Sequence, residues 1–160
     1  MRLMLVSERV LLTLWVGSMW AVGYLAAPTL FNVLDDRRLA GTVAGHLFGA
    51  VSHIGFVAGG LLLLGALYAA GRCWYKRWRV WGLIAMLAVT AVGEFLLRPE
   101  MTVLRDAGLV EGTETAARFA YLHGLSSALF LFNSLMGLIL VMFGVAPKGD
   151  AGVPQTPQWR

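Results

Sequence analysis

The chain has 160 residues, of which 58% are hydrophobic and 14% charged, and its formal net charge is +4. This composition is too apolar for an ordinary soluble domain and indicates a protein of the lipid bilayer. We interpret the positive charge as a feature of membrane topology and not as a sign of nucleic-acid binding. Cys73 is the only cysteine, which excludes a disulfide within the chain.

Four segments are apolar over the roughly 20 residues that a helix needs to cross a bilayer. They predict an all-α fold, an integral membrane antiparallel four-helix bundle that occupies residues 1–146. The first segment resembles a signal peptide, but Leu25 stands where cleavage after Ala27 would need a small residue, so we expect it to be retained. The predicted helices cover residues 10–34, 41–70, 80–97 and 118–145.

The second predicted helix combines glycines with histidines. Gly41, Gly45 and Gly49 follow one another at four-residue spacing, which is typical of membrane helices that pack closely, within a bundle or between copies. His46 and His53 are seven residues apart, so they project from the same side of the helix but lie about 10 Å apart along its axis. One metal ion therefore cannot bind both histidines.

The basic and aromatic stretch GRCWYKRWR, residues 71–79, joins the second and third predicted helices. Side chains of this kind anchor a protein at the membrane surface. With the N-terminus inside, eight lysines and arginines lie on the inner side and five on the outer side. This asymmetry predicts a multi-pass protein of the cell (inner) membrane with both termini in the cytoplasm, and the proline-containing tail 147–160 is predicted to be disordered there.

The last two predicted helices carry polar and ionisable side chains within apolar sequence. Glu94 lies four residues before Arg98, and the stretch 99–107 predicts a short amphipathic helix. Thr113 is a candidate cap for the fourth helix. Polar groups are costly against lipid, so we expect a polar stripe of the fourth helix to face the bundle. The stripe consists of His123, Ser126, Ser127, Ser134 and Gly137, with Asn133 at its edge.

Counting residues from the predicted outer helix ends places His46, Glu94 and His123 at one height. With Arg98 they predict a polar pocket near the outer face that binds or passes a small polar ligand or a metal ion. In this hypothesis His46 and His123 are ligands or proton acceptors and Glu94 is a counter-charge. Arg98 either fixes Glu94 or attracts an anion. Secondary candidates are His53, Asn133, Ser126 and Ser127.

Several other interpretations of these residues stay open. Hydrogen bonds between helices and an ion pair of Glu94 with Arg98 would give them a purely structural role. Imidazoles that face a carboxylate suit zinc, copper or iron, with Met101 as a softer neighbour. His46 and His123 on different helices would suit the axial positions of haem in a haem- or quinone-linked redox protein.

Two further hypotheses use different residues. A proton-linked or polar-solute pathway would run from Glu94 through His123 toward His53. A ligand-free assembly partner, either in a homo-oligomer or with another membrane protein, would act through the glycines of the second helix. The chain has no Gly-x-Ser-x-Gly, His-Glu-x-x-His or phosphate-binding glycine motif, so an enzyme of the soluble type is not favoured.

Four stretches carry a resemblance to a known family: WVGSMWAVGYLAAPTLF (15–31), AGHLFG (44–49), RPEMTVLR (98–105) and FAYLHGLSSALFLFN (119–133). In this order they resemble the small membrane proteins similar to transmembrane protein 205, whose bacterial members form a domain-of-unknown-function family. The resemblance implies a four-helix membrane fold but no reaction, and His53 and Glu94 fall outside its pattern. The matching positions are Trp15, Gly17, Pro28, Phe31, Arg98, Pro99, His123 and Asn133.

Overall fold

The structure, a computed structural model, describes residues 2–110 and 112–144, so the predicted disordered tail lies outside the described residues. All regular elements in the described part are helical, and they form the predicted four-helix bundle. The bundle has four helical segments, which we call spans 1 to 4. Each of them is long and apolar enough to cross a membrane. Span 1 comprises α1 (Arg2–Trp20), a π-helical turn (Ala21–Ala26) and α2 (Ala27–Val33), and span 2 comprises α3 (Arg37–Ala70) and a 3-10 turn (Gly71–Lys76). Span 3 comprises α4 (Trp78–Val92), a π-helical turn (Gly93–Leu97) and α5 (Arg98–Asp106). Span 4 is the single helix α6 (Glu114–Phe143).

The spans are arranged so that each packs against two neighbours. Span 1 contacts spans 2 and 4, and span 3 contacts the same two spans from the other side. Both connections 34–36 and 107–113 lie at one end of the bundle, called the distal end below, and the connection between spans 2 and 3 lies at the opposite, proximal end. The distal end is the predicted outer face.

Helix caps define where two of the spans begin. The Asp36 side chain accepts hydrogen bonds from the backbone N–H groups of Arg38 and Leu39, at 2.8 and 3.1 Å. The Thr113 hydroxyl accepts one from the N–H of Ala116 at 3.3 Å, as the sequence predicted for the fourth helix. These bonds satisfy N–H groups that a helix leaves unpaired in its first turn.

The proximal half of the bundle contains the closely packed core. Trp15 of span 1 is buried, and its indole lies against Gly55 and Gly59 of span 2. A Cβ atom would lie 2.6 Å from the indole Nε1 at position 55 and 2.5 Å from the ring at position 59, so glycine is what allows the two helices to approach. The other core residues are Leu12, Ala58, Leu62, Ala66, Val80, Leu83, Met86 and Leu140.

Two prolines explain the π-helical turns of spans 1 and 3. Proline has no N–H, and its ring clashes with the carbonyl four residues earlier, so an α-helix cannot continue through it undisturbed. Before Pro28, the N–H of Ala27 instead bonds to the carbonyl of Val22, five residues back. Before Pro99, the N–H of Arg98 bonds to the carbonyl of Gly93 in the same way. Both wide turns lie in the distal half of the bundle.

Candidate functional site

An ion pair of Glu94 and Arg98 connects the π-helical turn of span 3 to the start of α5. The side chains are 12% and 31% exposed, so both are largely withdrawn from the surface. The guanidinium group of Arg98 lies directly over Gly49 of span 2, where a Cβ atom would overlap it. Arg98 therefore has one partner in its own span and packs against the backbone of the neighbouring span.

Arg105 makes a second contact between spans 3 and 2. Its Nη1 atom donates a hydrogen bond to the carbonyl oxygen of Gly41 at 3.2 Å, and a Cβ atom at Gly45 would lie 3.8 Å from the same nitrogen. The guanidinium carbon also lies 5.9 Å from the ring centroid of Phe119 in span 4. Among the described residues Arg105 has no carboxylate partner, so its charge is not compensated by an ion pair there.

Three glycines of span 2 form the surface on which Arg98 and Arg105 lie. Gly41 and Gly45 face Arg105, and Gly49 faces Arg98. Glycines four residues apart line one side of a helix. At Gly49 the absence of a Cβ is what lets the guanidinium group of Arg98 reach the backbone, whereas a Cβ at Gly41 or Gly45 would only touch Arg105. We call Glu94, Arg98 and Arg105 with Gly41, Gly45 and Gly49 the distal arginine site.

The histidines occupy other surfaces of the molecule. His46 is exposed and has no hydrogen bond, ion pair or ring contact among the described residues. His53 is exposed, and its Nδ1 lies 2.7 Å from the carbonyl oxygen of Gly49. His123 is exposed and stacks on Phe119, with the ring planes 4° apart and the centroids 6.1 Å apart.

The structure thus brings together two of the four predicted pocket residues, Glu94 and Arg98, and shows no contact of this pair with His46 or His123 in the described ranges. Successive residues of an α-helix are rotated by about 100°, so a helix that turns Gly45 toward span 3 turns His46 away from it. Within residues 2–110 and 112–144, no three histidine, cysteine, aspartate or glutamate side chains are placed to hold one metal ion.

The polar stripe of span 4 divides between the interior and the surface. Asn133 is 5% exposed and donates from Nδ2 to the hydroxyl of Thr90 at 3.0 Å and to the carbonyl of Met86 at 3.3 Å. Buried Ser134 accepts a hydrogen bond from the hydroxyl of Tyr24 at 3.0 Å. The neighbouring residues toward the distal end differ: Ser126 is partly buried, whereas Ser127 is exposed and donates to the carbonyl of its own-helix residue His123.

Comparison with protein families identifies the group to which these features belong. The model of a domain of unknown function, DUF4149, matches residues 10–109. The chain belongs to the DUF4149 family. The matched region contains span 1 from residue 10 onward, spans 2 and 3 and every residue of the distal arginine site, and it ends before span 4. No curated protein and no solved structure matches the chain.

Arg105 is the residue of this DUF4149 protein that sequence reasoning did not single out. Arg98 and Arg105 are seven residues apart, which places both on one side of a continuous helix. Two features of the sequence together indicate that these arginines pack on a neighbouring helix. One is the seven-residue spacing of the arginines, and the other is the four-residue spacing of the glycines in span 2. The sequence predicts a separate short amphipathic helix over residues 99–107, whereas α5 directly follows the π-helical turn of span 3 and Arg105 reaches span 2.

Proposed function

We propose that this DUF4149 protein is a multi-pass membrane protein that binds a small anionic ligand at the distal arginine site. The observation that carries the proposal is the guanidinium group of Arg105, which lies partly buried between three spans without a carboxylate partner among the described residues. An unpaired charge at such a position is costly, and a bound anion would compensate it. The resemblance to transmembrane protein 205 remains part of this proposal and adds no reaction to it.

The chemistry of the two arginines assigns them different tasks. Arg98 is compensated by Glu94, so this pair holds span 3 against span 2 and adds little net charge. Arg105 uses one nitrogen for the carbonyl of Gly41 and keeps the other N–H groups of its planar fork for a ligand. Such a fork matches the paired oxygens of a carboxylate or a phosphate. The guanidinium group also lies over the ring of Phe119.

The structure gives less support to the other ligand classes. A metal ion bound by His46, His123 and Glu94 would need these side chains within reach of one point, and the described residues contain no such group. A haem-linked redox protein would need two histidines that face each other, whereas His46, His53 and His123 are all exposed. The anion is therefore the form of the small polar ligand that we retain.

The binding test compares the thermal unfolding of protein in mild detergent with phosphate and with chloride at equal ionic strength. At a tenfold excess over Kd, phosphate is expected to stabilise the protein by about 1.4 kcal/mol, or roughly 3–6 °C in a chain of this size. The shift should disappear in Arg105→Gln and persist in Arg37→Gln, because Arg37 is an exposed arginine at the same end. An equal phosphate shift in Arg105→Gln and the unmodified protein would refute the proposal.

A second arm separates two sources of a phosphate group. Short-chain phosphatidylglycerol replaces inorganic phosphate in the same measurement, with short-chain phosphatidylcholine as the neutral control. An Arg105-dependent shift with inorganic phosphate identifies a free anion as the ligand. A shift that needs phosphatidylglycerol, and that Arg105→Gln also removes, identifies a lipid headgroup instead.

A further inference from the structure

The middle of the bundle contains two buried polar atoms of complementary type. The indole Nε1 of Trp20 is a hydrogen-bond donor, and the amide Oδ1 of Asn133 is an acceptor. Both atoms are buried, and neither has a hydrogen-bond partner among the residues that the structure describes. Asn133 is 5% exposed and uses its Nδ2 for bonds to span 3, so its oxygen is the part left over. Buried polar groups are nearly always hydrogen-bonded, so both atoms indicate a further partner.

The contacts between spans place these two side chains in one layer. A Cβ atom at Gly137 of span 4 would lie 2.9 Å from Val16 of span 1 and 3.4 Å from Met86 of span 3, so these three residues meet. Residues four apart on an α-helix lie one above the other on the same side. One turn nearer the distal end, the same sides of the three spans therefore carry Trp20, Asn133 and Thr90. The hydrogen bond from Asn133 to Thr90 agrees with this placement.

Ring packing limits this layer on its distal side. Gly23 of span 1 lies directly against the ring of Phe130 in span 4, where a Cβ atom would overlap it, and the ring of Tyr24 contacts the same phenylalanine with centroids 5.6 Å apart. Val16 and Gly23 are seven residues apart, so Trp20 projects toward span 4 between two contacts that lie roughly 10 Å apart along the axis. Acyl chains offer no hydrogen bonds and do not reach the buried atoms. The partner must therefore lie inside the bundle.

We propose that one water molecule binds in this layer and bridges Trp20 of span 1 to Asn133 of span 4. The water oxygen accepts the indole N–H, and one water O–H donates to the amide oxygen, so both side chains gain their missing hydrogen bond. A buried water makes about two to four hydrogen bonds to otherwise unpaired groups, and this pair supplies two. The indole and the amide themselves lie in the short length between the bracketing contacts, which favours a ligand as small as water.

The bridge extends a hydrogen bond that is already present. Asn133 donates to Thr90, so the water joins span 1 to a bond between spans 4 and 3, and the three spans share one hydrogen-bonded layer. Inside a bilayer such a layer is not weakened by competing solvent, and an ordered water contributes almost as much as a direct hydrogen bond. This inference does not depend on anion binding at the distal arginine site.

Nuclear magnetic resonance of the full chain in deuterated detergent detects the water directly. With isotope-labelled tryptophan, the indole signal of Trp20 is the one that disappears in Trp20→Phe. This signal should show a cross-peak to bound water, and Asn133→Leu, which removes the acceptor, should abolish the cross-peak. Tyr24→Phe is the matched control, because it removes the hydrogen bond to Ser134 one turn away and leaves both bridged atoms in place. A missing cross-peak in the unmodified protein, or one that persists in folded Asn133→Leu, would overturn the proposal.

Thermal unfolding in detergent measures whether the two side chains share a partner. The midpoint losses of Trp20→Phe and Asn133→Leu should add up to more than the loss of the double variant, because either substitution alone already breaks the bridge. In a control cycle with the exposed Thr102→Ala at the distal end, the losses should add. Additive losses in the first cycle would contradict a shared water. Coupling without the water cross-peak would also overturn the proposal, since it identifies a direct bond between the two side chains.

Discussion

Arg105 of span 3 reaches the backbone of Gly41 in span 2 through a 3.2 Å hydrogen bond from its Nη1 atom. The two residues are 64 positions apart in sequence, and each lies near the distal end of its span. A Cβ atom at Gly41 would lie 3.9 Å from the guanidinium carbon of Arg105, so the side chain of Arg105 passes close to the surface of span 2. A charged group is thereby placed beside a helix backbone, where its remaining N–H groups can bind a ligand.

The ion pair of Glu94 is expected to matter more for stability than the ion pair at the surface of the same end. Glu94→Gln leaves Arg98 partly buried without its partner, which should lower the free energy of unfolding by about 1–3 kcal/mol. Glu100→Gln removes the more exposed pair of Glu100 with Arg118 and should change it by less than about 1 kcal/mol. Thermal or denaturant unfolding in one detergent compares the two variants, and similar losses would contradict this ranking.

The close approach of spans 1 and 2 predicts opposite effects for two glycine substitutions. Gly59→Ala would place a Cβ atom against the rigid, buried ring of Trp15 and should destabilise the protein by about 1–3 kcal/mol. Gly65→Ala faces open space, so the better helix propensity of alanine should raise stability by up to about 1 kcal/mol. If Gly59→Ala is as stable as Gly65→Ala in thermal unfolding, the described packing of Trp15 is incorrect.

Asn133 and Thr90 are expected to act as a coupled pair between spans 4 and 3. The amide of Asn133 donates to the hydroxyl of Thr90 and to the carbonyl of Met86, and all of this lies away from the surface. Hydrogen bonds between membrane helices contribute on the order of 0.6 kcal/mol. A double-mutant cycle with Asn133→Ala and Thr90→Val should return a coupling energy of about that size. Strictly additive effects would show that the hydrogen bond contributes nothing.

The native cysteine allows a direct test of topology. Cys73 is exposed in the 3-10 turn at the proximal end of span 2, and the charge distribution predicts that this end is cytoplasmic. A membrane-impermeant maleimide should therefore label it only after the cells are permeabilised. In a Cys73→Ser background, Val110→Cys at the distal end should be labelled in intact cells, since Val110 is 65% exposed. Labelling of Cys73 in intact cells would reverse the predicted orientation.

Hydropathy predicted the four-helix bundle, because a span of about 20 apolar residues has few alternatives to a membrane helix. The relation of Glu94 to Arg98 also followed from the sequence, since residues four apart meet on a helix. The direction in which His46 projects could not be predicted from the sequence. Residue counting gives the height of a side chain along its span but not the direction in which it projects, and direction depends on which neighbour the glycines of that span face.

The prolines show a second limit of reading the sequence alone. Pro28 and Pro99 indicate an interrupted helix, but the sequence does not say whether the chain kinks, breaks or widens at that point. The structure shows a π-helical turn before each proline, with a hydrogen bond from residue i to residue i−5. One added residue per turn changes which side chains face inward beyond it, so the inward face of α5 could not be extrapolated from α4.

The paired π-helical turns divide the bundle into two mechanical parts. Large buried side chains around Trp15 and Leu83 join the proximal part, whereas the distal part combines smaller buried residues such as Ala40 and Ala44 with two arginines that pack on span 2. Helices bend preferentially at π-bulges, and these two lie on spans 1 and 3, on opposite sides of the molecule. A motion that widens the distal end would thus bend the protein at residues 21–26 and 93–97 and leave the proximal core undisturbed.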